Sequence, residues 1–326
     1  MTTPVIDVHV HAIPAEVNER AEAGRSPHVR VERLPSGLAS YLLPAMEPSP
    51  PAPASLCDFA GLASSAAEHG ITTQLVGPWT DLLGYTLPEA EGEAWAQAYN
   101  EALVRACAEF AGMQPMATVP LQAPRAAVRV MESAKSFGCR GLVFGTDIPE
   151  SELAAPELDD VWAAAAELWL PVLLHPTFLT IPAVLKQSGL KNAVGRAGVT
   201  ALALTRIIYA GVLERHPDLV LIGAHGGGAF VPLIDRILRN QELGWAADTD
   251  VDVAASIQRL YVDSVVLDST FLAYVVGKLG AGRMLLGSDW PFPWEPDPLG
   301  TVQRAGLDAD ETDAVLGHTA QGLFGI

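Results

Sequence analysis

The sequence is short of basic residues. Its 326 residues include 20 lysines and arginines against 38 aspartates and glutamates, which gives a formal net charge of -18. Nucleic acids and anionic membrane surfaces repel so acidic a chain, and we expect neither as a partner. An anionic small molecule is not excluded, because a local arginine or a metal ion can reverse the sign of the potential inside a pocket.

Cysteines and long apolar runs are scarce as well. Cys57, Cys107 and Cys139 are odd in number, and their spacing matches no zinc-finger or redox motif. We therefore expect reduced thiols and a cytoplasmic protein. Every apolar run ends before the roughly 18 residues that a membrane-spanning helix needs. No basic stretch followed by a long apolar segment begins the chain, so the sequence predicts neither a transmembrane helix nor a signal peptide.

The chain instead alternates short apolar runs with segments of helical periodicity. The predicted strands are residues 5–12, 71–76, 113–121, 141–144, 170–174, 219–222, 260–263 and 284–286. Eight strands separated by helices indicate parallel pairing and a closed (β/α)8 barrel of the TIM type, in a single domain over residues 1–326. The alternative is an open doubly wound sheet, which usually carries a glycine-rich phosphate turn after its first strand. The first strand here ends in His-Ala-Ile-Pro.

A long connection follows the first predicted strand, over residues 13–56. It contains a Pro-rich stretch, residues 46–53, which cannot form a regular helix or a central strand. Connections of this length in a compact protein are usually functional or disordered. We interpret this insertion as a flap over the mouth of a site, and a solvated surface excursion is the alternative.

Ionisable residues stand at the ends of several predicted strands. His9 and His11 alternate with apolar residues on the first strand, so their side chains project to the same face. Taken alone, the pair fits two buried core histidines. Further residues follow at later strand ends: His175, His225, Asp263 and Asp289. Because the carboxyl ends of barrel strands form one rim, where active sites lie, their joint placement predicts a catalytic metal site.

The order of these residues resembles the amidohydrolase superfamily, and more narrowly the group typified by α-amino-β-carboxymuconate-ε-semialdehyde decarboxylase. The stretches that carry the resemblance run in order along nearly the whole chain. They are Ile6-Asp7-Val8-His9-Val10-His11, Gly84-Tyr85-Thr86, Leu174-His175-Pro176, Ala224-His225-Gly226-Gly227-Gly228, Val262-Asp263-Ser264 and Gly287-Ser288-Asp289-Trp290-Pro291-Phe292-Pro293. The strand-six glycine run and the Ser-Asp-x-Pro-Phe-Pro run are specific to this group.

The resemblance implies one divalent metal ion and an acid/base histidine. By resemblance, His225 is the acid/base residue, and Asp289 is both ligand and catalytic residue. The implied metal ligands are His9, His11, His175 and Asp289. Imidazole ligands suit zinc, our first choice, and also manganese, iron and cobalt. Many superfamily hydrolases place a metal-bridging lysine or glutamate after strand four, whereas residues 143–147 of this chain read Val-Phe-Gly-Thr-Asp. This departure favours one metal over two.

A second departure concerns recognition of a substrate carboxylate. The family's arginine in the first long loop has no counterpart in the Pro-rich stretch, although Arg25, Arg30 and Arg33 are nearby. Arg236 matches the family's second carboxylate-binding arginine, which reaches a neighbouring subunit. A solvated helix arginine is the alternative. The resemblance therefore implies a homodimer and a substrate other than the family's namesake compound.

Aromatic residues near the same rim are candidates for binding a flat, conjugated acid. They are Trp79, Tyr85, Phe178, Trp290, Phe292 and Trp294. Some of them could instead pack the loops.

These features lead to one functional hypothesis and two alternatives. The hypothesis is a metal-dependent, non-oxidative decarboxylase of a small unsaturated or aromatic carboxylic acid, using metal-bound water and His225. The first alternative is a hydrolase or hydratase acting on a lactone, an amide or a conjugated acid, which fold-level resemblance cannot separate from the hypothesis. The second is a non-catalytic binding protein, which would be expected to lack some ligands, and this chain has all of them.

Overall fold

The computed structural model describes residues 3–179, 181–246 and 250–326. Eight strands pair in parallel in the order in which the chain reaches them, and β2 and β3 form a separate antiparallel hairpin. The strands are β1 (Ile6–Ala12), β2 (Arg30–Arg33), β3 (Ala39–Leu42), β4 (Thr73–Pro78), β5 (Met113–Ala117), β6 (Gly141–Gly145), β7 (Val172–His175), β8 (Leu221–Gly223), β9 (Tyr261–Asp263) and β10 (Met284–Leu285).

Helices connect successive strands of the large sheet and cover its outer face. Phe144 of β6, for example, packs against Trp162, with their ring centroids 5.4 Å apart. The α-helices are α1 (Ala15–Glu22), α2 (Phe59–Glu68), α3 (Glu89–Ala108), α4 (Pro124–Ser136), α5 (Asp159–Glu167), α6 (Arg196–Tyr209), α7 (Val212–Arg215), α8 (Phe230–Glu242), α9 (Val253–Ile257), α10 (Ser269–Leu279), α11 (Pro298–Gln303), α12 (Ala309–Asp313) and α13 (Thr319–Phe324). Short turns of 3-10 or π helix lie between some of these elements, including a π turn at Lys191–Gly195 just before α6.

Backbone hydrogen bonds close the sheet on itself between its last and first strands. The N–H of Val8 donates to the carbonyl of Leu286 at 2.9 Å, and the N–H of His11 donates to the carbonyl of Trp290 at 2.8 Å. The N–H of Asp289 donates back to the carbonyl of His9 at 2.9 Å. A closed parallel sheet with external helices is a (β/α)8 barrel. The predicted fold is confirmed, and the open doubly wound alternative is wrong.

Strand β1 changes register against β4 between Asp7 and Val10. A strict alternation would place Val8 and Val10 on the same face of the sheet. Instead Val8 packs in the cluster that fills the barrel, and Val10 packs against residues of the outer helices. This bulge therefore re-aims the side chains of β1 just where its histidines begin, which is a common use of bulges near active sites.

The insertion between β1 and α2 carries more structure than the sequence predicts. Residues 13–56 contain α1 and the hairpin of β2 and β3, and the Pro-rich stretch contributes one isolated bridge, between Ala52 and Ala39. Tyr41 of β3 stacks edge-on against Trp79, with their ring centroids 5.9 Å apart. The insertion thus packs against the segment that follows β4, beside the carboxyl end of the barrel.

The state of the cysteines and the apolarity of the helices can be compared with what the sequence predicts. Cys57, Cys107 and Cys139 are free thiols. Burial raises the pKa of Cys107 and of Cys139 to about 12, so both stay protonated and unreactive near neutral pH. In the part of the chain that the structure describes, no helix has both the length and the apolarity needed to cross a bilayer.

Candidate metal centre and substrate cavity

Four side chains from three strand ends converge at the carboxyl rim of the barrel. His9 and His11 come from the end of β1, His175 is the last residue of β7, and Asp289 follows β10. All four are at most 4% exposed. One nitrogen or oxygen atom from each lies within 4.8 Å of the others. A set of three imidazoles and one carboxylate at this spacing could hold a single divalent transition metal.

Hydrogen bonds at the Nδ1 atoms of His9 and His11 leave the Nε2 atoms of the two rings facing each other. Nδ1 of His9 lies 2.6 Å from Oδ2 of Asp263, and Nδ1 of His11 lies 3.2 Å from the carbonyl oxygen of Pro78. Because a carboxylate and a carbonyl only accept hydrogen bonds, Nδ1 is the donor in both rings. The Nε2 atoms, 3.1 Å apart, are then both lone-pair acceptors in the neutral rings. A cation between them is the partner that this geometry lacks, so the residues fit a metal.

His175 and Asp289 add buried atoms that have no hydrogen-bond partner among the described residues. These atoms are Nδ1 and Nε2 of His175 and Oδ1 of Asp289. Burial, and then the charge of His11, lowers the pKa of His175 well below its usual range, so the ring is neutral and its lone pair available. Burial opposes a charge on His9, but the carboxylates of Asp289 and Asp263 outweigh it and raise its pKa to about 9, so without a metal ion this ring holds a second proton near neutral pH, which a metal ion would replace. The centre therefore attracts positive charge, which fits the same conclusion.

Asp263, at the end of β9, supports this centre from behind without joining it. Besides its bond to His9, its carboxylate accepts the backbone N–H groups of His225 and Gly226, each at 2.9 Å. A buried carboxylate that donates no ligand but fixes the tautomer of a metal-binding histidine is a recurrent second layer of metal sites. Sequence reasoning placed Asp263 at the rim and gave it no role. The structure ties the position of His9 to that of the turn carrying His225.

His225 stands beside the four ligands and faces the open side of the centre. Its Nε2 lies 3.4 Å from Oδ2 of Asp289, and its side chain is 20% exposed. The backbone of His225 has φ of 57°, a left-handed value also found at Asp289, with φ of 58°. Gly228, in the same turn, is required by space, since a Cβ there would lie 2.6 Å from the carbonyl oxygen of Ala197. This turn presents the imidazole to whatever occupies the cavity above.

A cavity of about 430 Å³ opens directly onto the centre. Its floor includes His175, His225 and Asp289. Aromatic side chains and the insertion form much of its wall: Trp79, Phe292, Trp294, Pro50 and Pro51. Its volume lies in the range of small-molecule sites, and its mostly apolar wall suits a flat organic ligand.

The sequence-predicted aromatic residues divide into two groups. Trp79, Phe292 and Trp294 line the cavity. Tyr85 is buried instead, and its hydroxyl oxygen accepts the N–H of Gly145 at 3.1 Å. Phe178 lines two neighbouring clefts, and Trp290 packs beside the cluster that contains Val10.

Arg236 lies outside the cavity. It is exposed on α8, three residues beyond the likewise exposed Leu233. Within one chain it is therefore not part of the wall described above.

The cavity also has charged residues that sequence reasoning missed. Lys191 reaches it from the connection between β7 and α6, Arg196 from the first residue of α6, and Asp81 from the segment after β4. No motif marks these residues. One general rule could have found them, namely that the connections leaving the carboxyl ends of barrel strands build the active-site wall.

Comparisons with known proteins agree with this architecture. A 2-amino-3-carboxymuconate-6-semialdehyde decarboxylase of Dictyostelium discoideum is 27% identical over 259 residues, which cover 75% of this chain and 70% of that protein. The crystal structure of 5-carboxyvanillate decarboxylase from Sphingomonas paucimobilis superposes with a TM-score of 0.83 at 18% identity, covering 100% of both chains. A dihydroxybenzoic acid decarboxylase from a Polaromonas species, with bound manganese and the inhibitor 2-nitroresorcinol, gives 0.80 at 18% identity, covering 99% of this chain and 97% of that one.

A family model provides the strongest of these findings. The model described as amidohydrolase matches residues 6–326, which include every strand of the barrel and all four candidate ligands. The likeness to solved structures shows the same fold over the whole length. The chain belongs to the amidohydrolase family.

Proposed function

We propose that this protein is a metal-dependent, non-oxidative decarboxylase of a small unsaturated or aromatic carboxylic acid. One observation carries the proposal: the three-histidine, one-aspartate centre opens, beside His225, onto a cavity walled by aromatic residues. The proteins similar to this chain described above are named as decarboxylases of such acids, which supports the proposal.

The aromatic wall would hold the substrate flat above the centre. Phe292 meets the ring of His11 edge-on, with ring centroids 6.0 Å apart, and Trp79 is held edge-on by Tyr41. A planar conjugated acid between such rings gains offset stacking and excludes water from the reacting carbon. When bound, a divalent cation supplies Lewis-acid polarisation at this centre.

His225 would handle the proton. Its Nε2 lies near Asp289 at the cavity floor, where it could deliver a proton to the ring carbon that bears the carboxylate. The carbon–carbon bond to that carboxylate then breaks, its electron pair restores the conjugated system, and carbon dioxide leaves. The proton takes the place of the departing group, so no oxidant or reductant is required.

We propose a single metal ion per chain, with zinc as first choice. The end of β6 carries no lysine or glutamate, and Oδ2 of Asp147 accepts the N–H of Leu179 at 2.8 Å, so that carboxylate is already engaged. Imidazole-rich sites accept zinc, manganese, iron or cobalt, and the similar Polaromonas protein contains manganese.

We further propose a cytoplasmic homodimer in which Arg236 binds a carboxylate in the partner's cavity. Leu233 on α8 and Leu243, the residue directly after this helix, are 40% and 41% exposed. Apolar side chains around a guanidinium favour a buried contact between subunits.

The experiment that tests the proposed function is metal analysis followed by a screen of aromatic and muconic acids for carbon dioxide release. We expect about one metal equivalent per chain and release that stops when a chelator removes the metal. Hydrolysis or hydration of a lactone, an amide or a conjugated acid without carbon dioxide release would instead favour the hydrolase alternative.

A further inference from the structure

Arg196 is fixed at the edge of the metal centre by two hydrogen bonds. Nη1–H donates to the carbonyl oxygen of Pro176 at 2.7 Å, and Nε–H donates to Oδ1 of Asn192 at 3.0 Å. Pro176 directly follows the candidate ligand His175 in the chain. The remaining nitrogen, Nη2, has no partner among the residues that the structure describes. A guanidinium held on one side and open on the other is prepared to bind an anion.

Lys191 brings a second cation to the same wall. It is half-buried, and its Nζ lies 5.8 Å from the ring centroid of Phe178. Within the described ranges of the chain it forms no ion pair, whereas Lys186, five residues earlier, pairs with Glu47. Burial lowers the pKa of Lys191, with Asp81 opposing that effect and Arg196 adding to it, so the two cations influence each other.

The balance of charge on this wall is therefore positive. Among the residues that the structure describes, Lys191 and Arg196 line the cavity together with a single carboxylate outside the centre, that of Asp81. Because the whole chain has a net charge of -18, an excess of cationic side chains in one cavity is unusual and points to a function for them. A second acidic group on the ligand would supply the missing charge.

We propose that Lys191 and Arg196 form a subsite for a second acidic group, so that the preferred substrate is an aromatic or unsaturated diacid. This inference rests on the proposed function, in which the first carboxylate lies at the metal centre beside His225 and leaves as carbon dioxide. The second group stays on the product and serves to orient the ring. The fork of Arg196 suits a carboxylate, and Lys191 adds a point charge.

The test is calorimetric binding to the metal-loaded protein of two probes, isophthalate with two carboxylates and benzoate with one. We expect the wild-type protein to bind isophthalate more tightly. Lys191→Met and Arg196→Met should each weaken isophthalate on the order of 10- to 100-fold, the usual loss for a hydrogen bond to a charged group. Benzoate affinity should change by less than about 3-fold, because one carboxylate still reaches the centre.

Matched variants separate the subsite from general effects of charge or folding. Lys186→Met removes a positive charge from the same segment outside the cavity, and both affinities should stay unchanged. Arg196→Lys should recover part of the isophthalate affinity, because a charge without the fork remains. Since Arg196 also supports Pro176, metal content is measured for each variant, and Lys191→Met tests the subsite without touching that support.

Several results would overturn the subsite. Equal affinity of the wild-type protein for both probes would do so, as would equal losses for both probes in Lys191→Met. So would a preference for isophthalate that disappears only in Arg236→Ala. Because binding requires no turnover, a preserved preference without carbon dioxide release would reject the proposed function and keep the subsite. Carbon dioxide release from monoacids, with no effect of Lys191→Met, would reject the subsite and keep the proposed function.

Discussion

The metal centre and the cavity wall above it are built from different parts of the barrel. The centre uses residues at the strand ends, and its members are held from behind, His9 by Asp263 and His11 by the carbonyl of Pro78. The wall uses connections between elements, with Pro50 from the insertion and Arg196 from the start of α6. Barrels generally keep chemistry on the rigid strands and vary the loops. Changes in the centre should therefore abolish activity, and changes in the wall should alter which acid is accepted.

The largest expected effect is in His9→Ala. One of four ligands and the contact to Asp263 are lost together, so the protein should lose both its metal and all measurable carbon dioxide release. Elemental analysis and a release assay check this. His69→Ala is the matched control, because this exposed histidine lies at the end of α2, where its ring nitrogen hydrogen-bonds the carbonyl oxygen of Ser65. A His9→Ala protein with a full metal equivalent would contradict the assigned ligand set.

His225→Asn tests whether chemistry and metal retention separate within the same rim. The side chain belongs to the cavity floor and not to the four-ligand group. We expect an unchanged metal content and a fall in turnover on the order of 10² to 10⁴, the usual contribution of a general acid–base group. If the variant lost its metal as readily as His9→Ala does, His225 would be a ligand and the assignment would be wrong.

Asp263→Asn should have a smaller effect, because it weakens the hydrogen bond that holds His9 in place. The amide cannot accept as strongly from Nδ1–H, so metal affinity should fall about 10- to 100-fold. Competition with a chelator of known affinity measures the change. Asp268→Asn is the control, because Asp268 caps α10 through the N–H of Phe271, a role that asparagine also fills. Unchanged affinity in Asp263→Asn would remove the support assigned to it.

Mixing two inactive variants tests whether the wall extends across a dimer. Arg236→Ala and His9→Ala, exchanged in equal amounts, should recover about a quarter of the wild-type activity, because half of the dimers are mixed and each has one complete site. Light scattering gives the oligomeric state, and tagged subunits verify exchange. No recovery after verified exchange, or an active monomer, would exclude a borrowed arginine.

The same contrast explains what could be predicted from the sequence. The barrel and the gathering of polar residues at one rim follow from apolar runs that end in polar residues, since strand ends of a closed parallel sheet share one rim. The choice of His9, His11, His175 and Asp289 among those rim residues came from the family resemblance, and the structure brings the four together. The pattern cannot specify which way a loop side chain turns. Tyr85 shows this, because its hydroxyl is occupied by the N–H of Gly145 inside the protein.

Two features could not be predicted from the sequence, for different reasons. The hairpin of β2 and β3 has a turn signal, Pro35-Ser36-Gly37, but each strand has only four residues and β2 is mostly charged, so the pair lacks a clear alternation. Lys191 and Arg196 lie in a π turn and at the first residue of α6, where no periodicity separates a cavity wall from a solvated surface. Only the three-dimensional course of that connection brings them to the cavity.

The left-handed backbone at His225 and Asp289 sets activity against stability. Non-glycine residues held at such φ values cost about 1 kcal/mol or more each, a strain that glycine relieves at the expense of its own flexibility. In the metal-free protein, His225→Gly should therefore leave the melting temperature unchanged or raise it slightly. A selection for heat resistance alone would tend to discard the residues that the reaction needs, and such a lineage would keep its barrel while its enzyme activity disappeared.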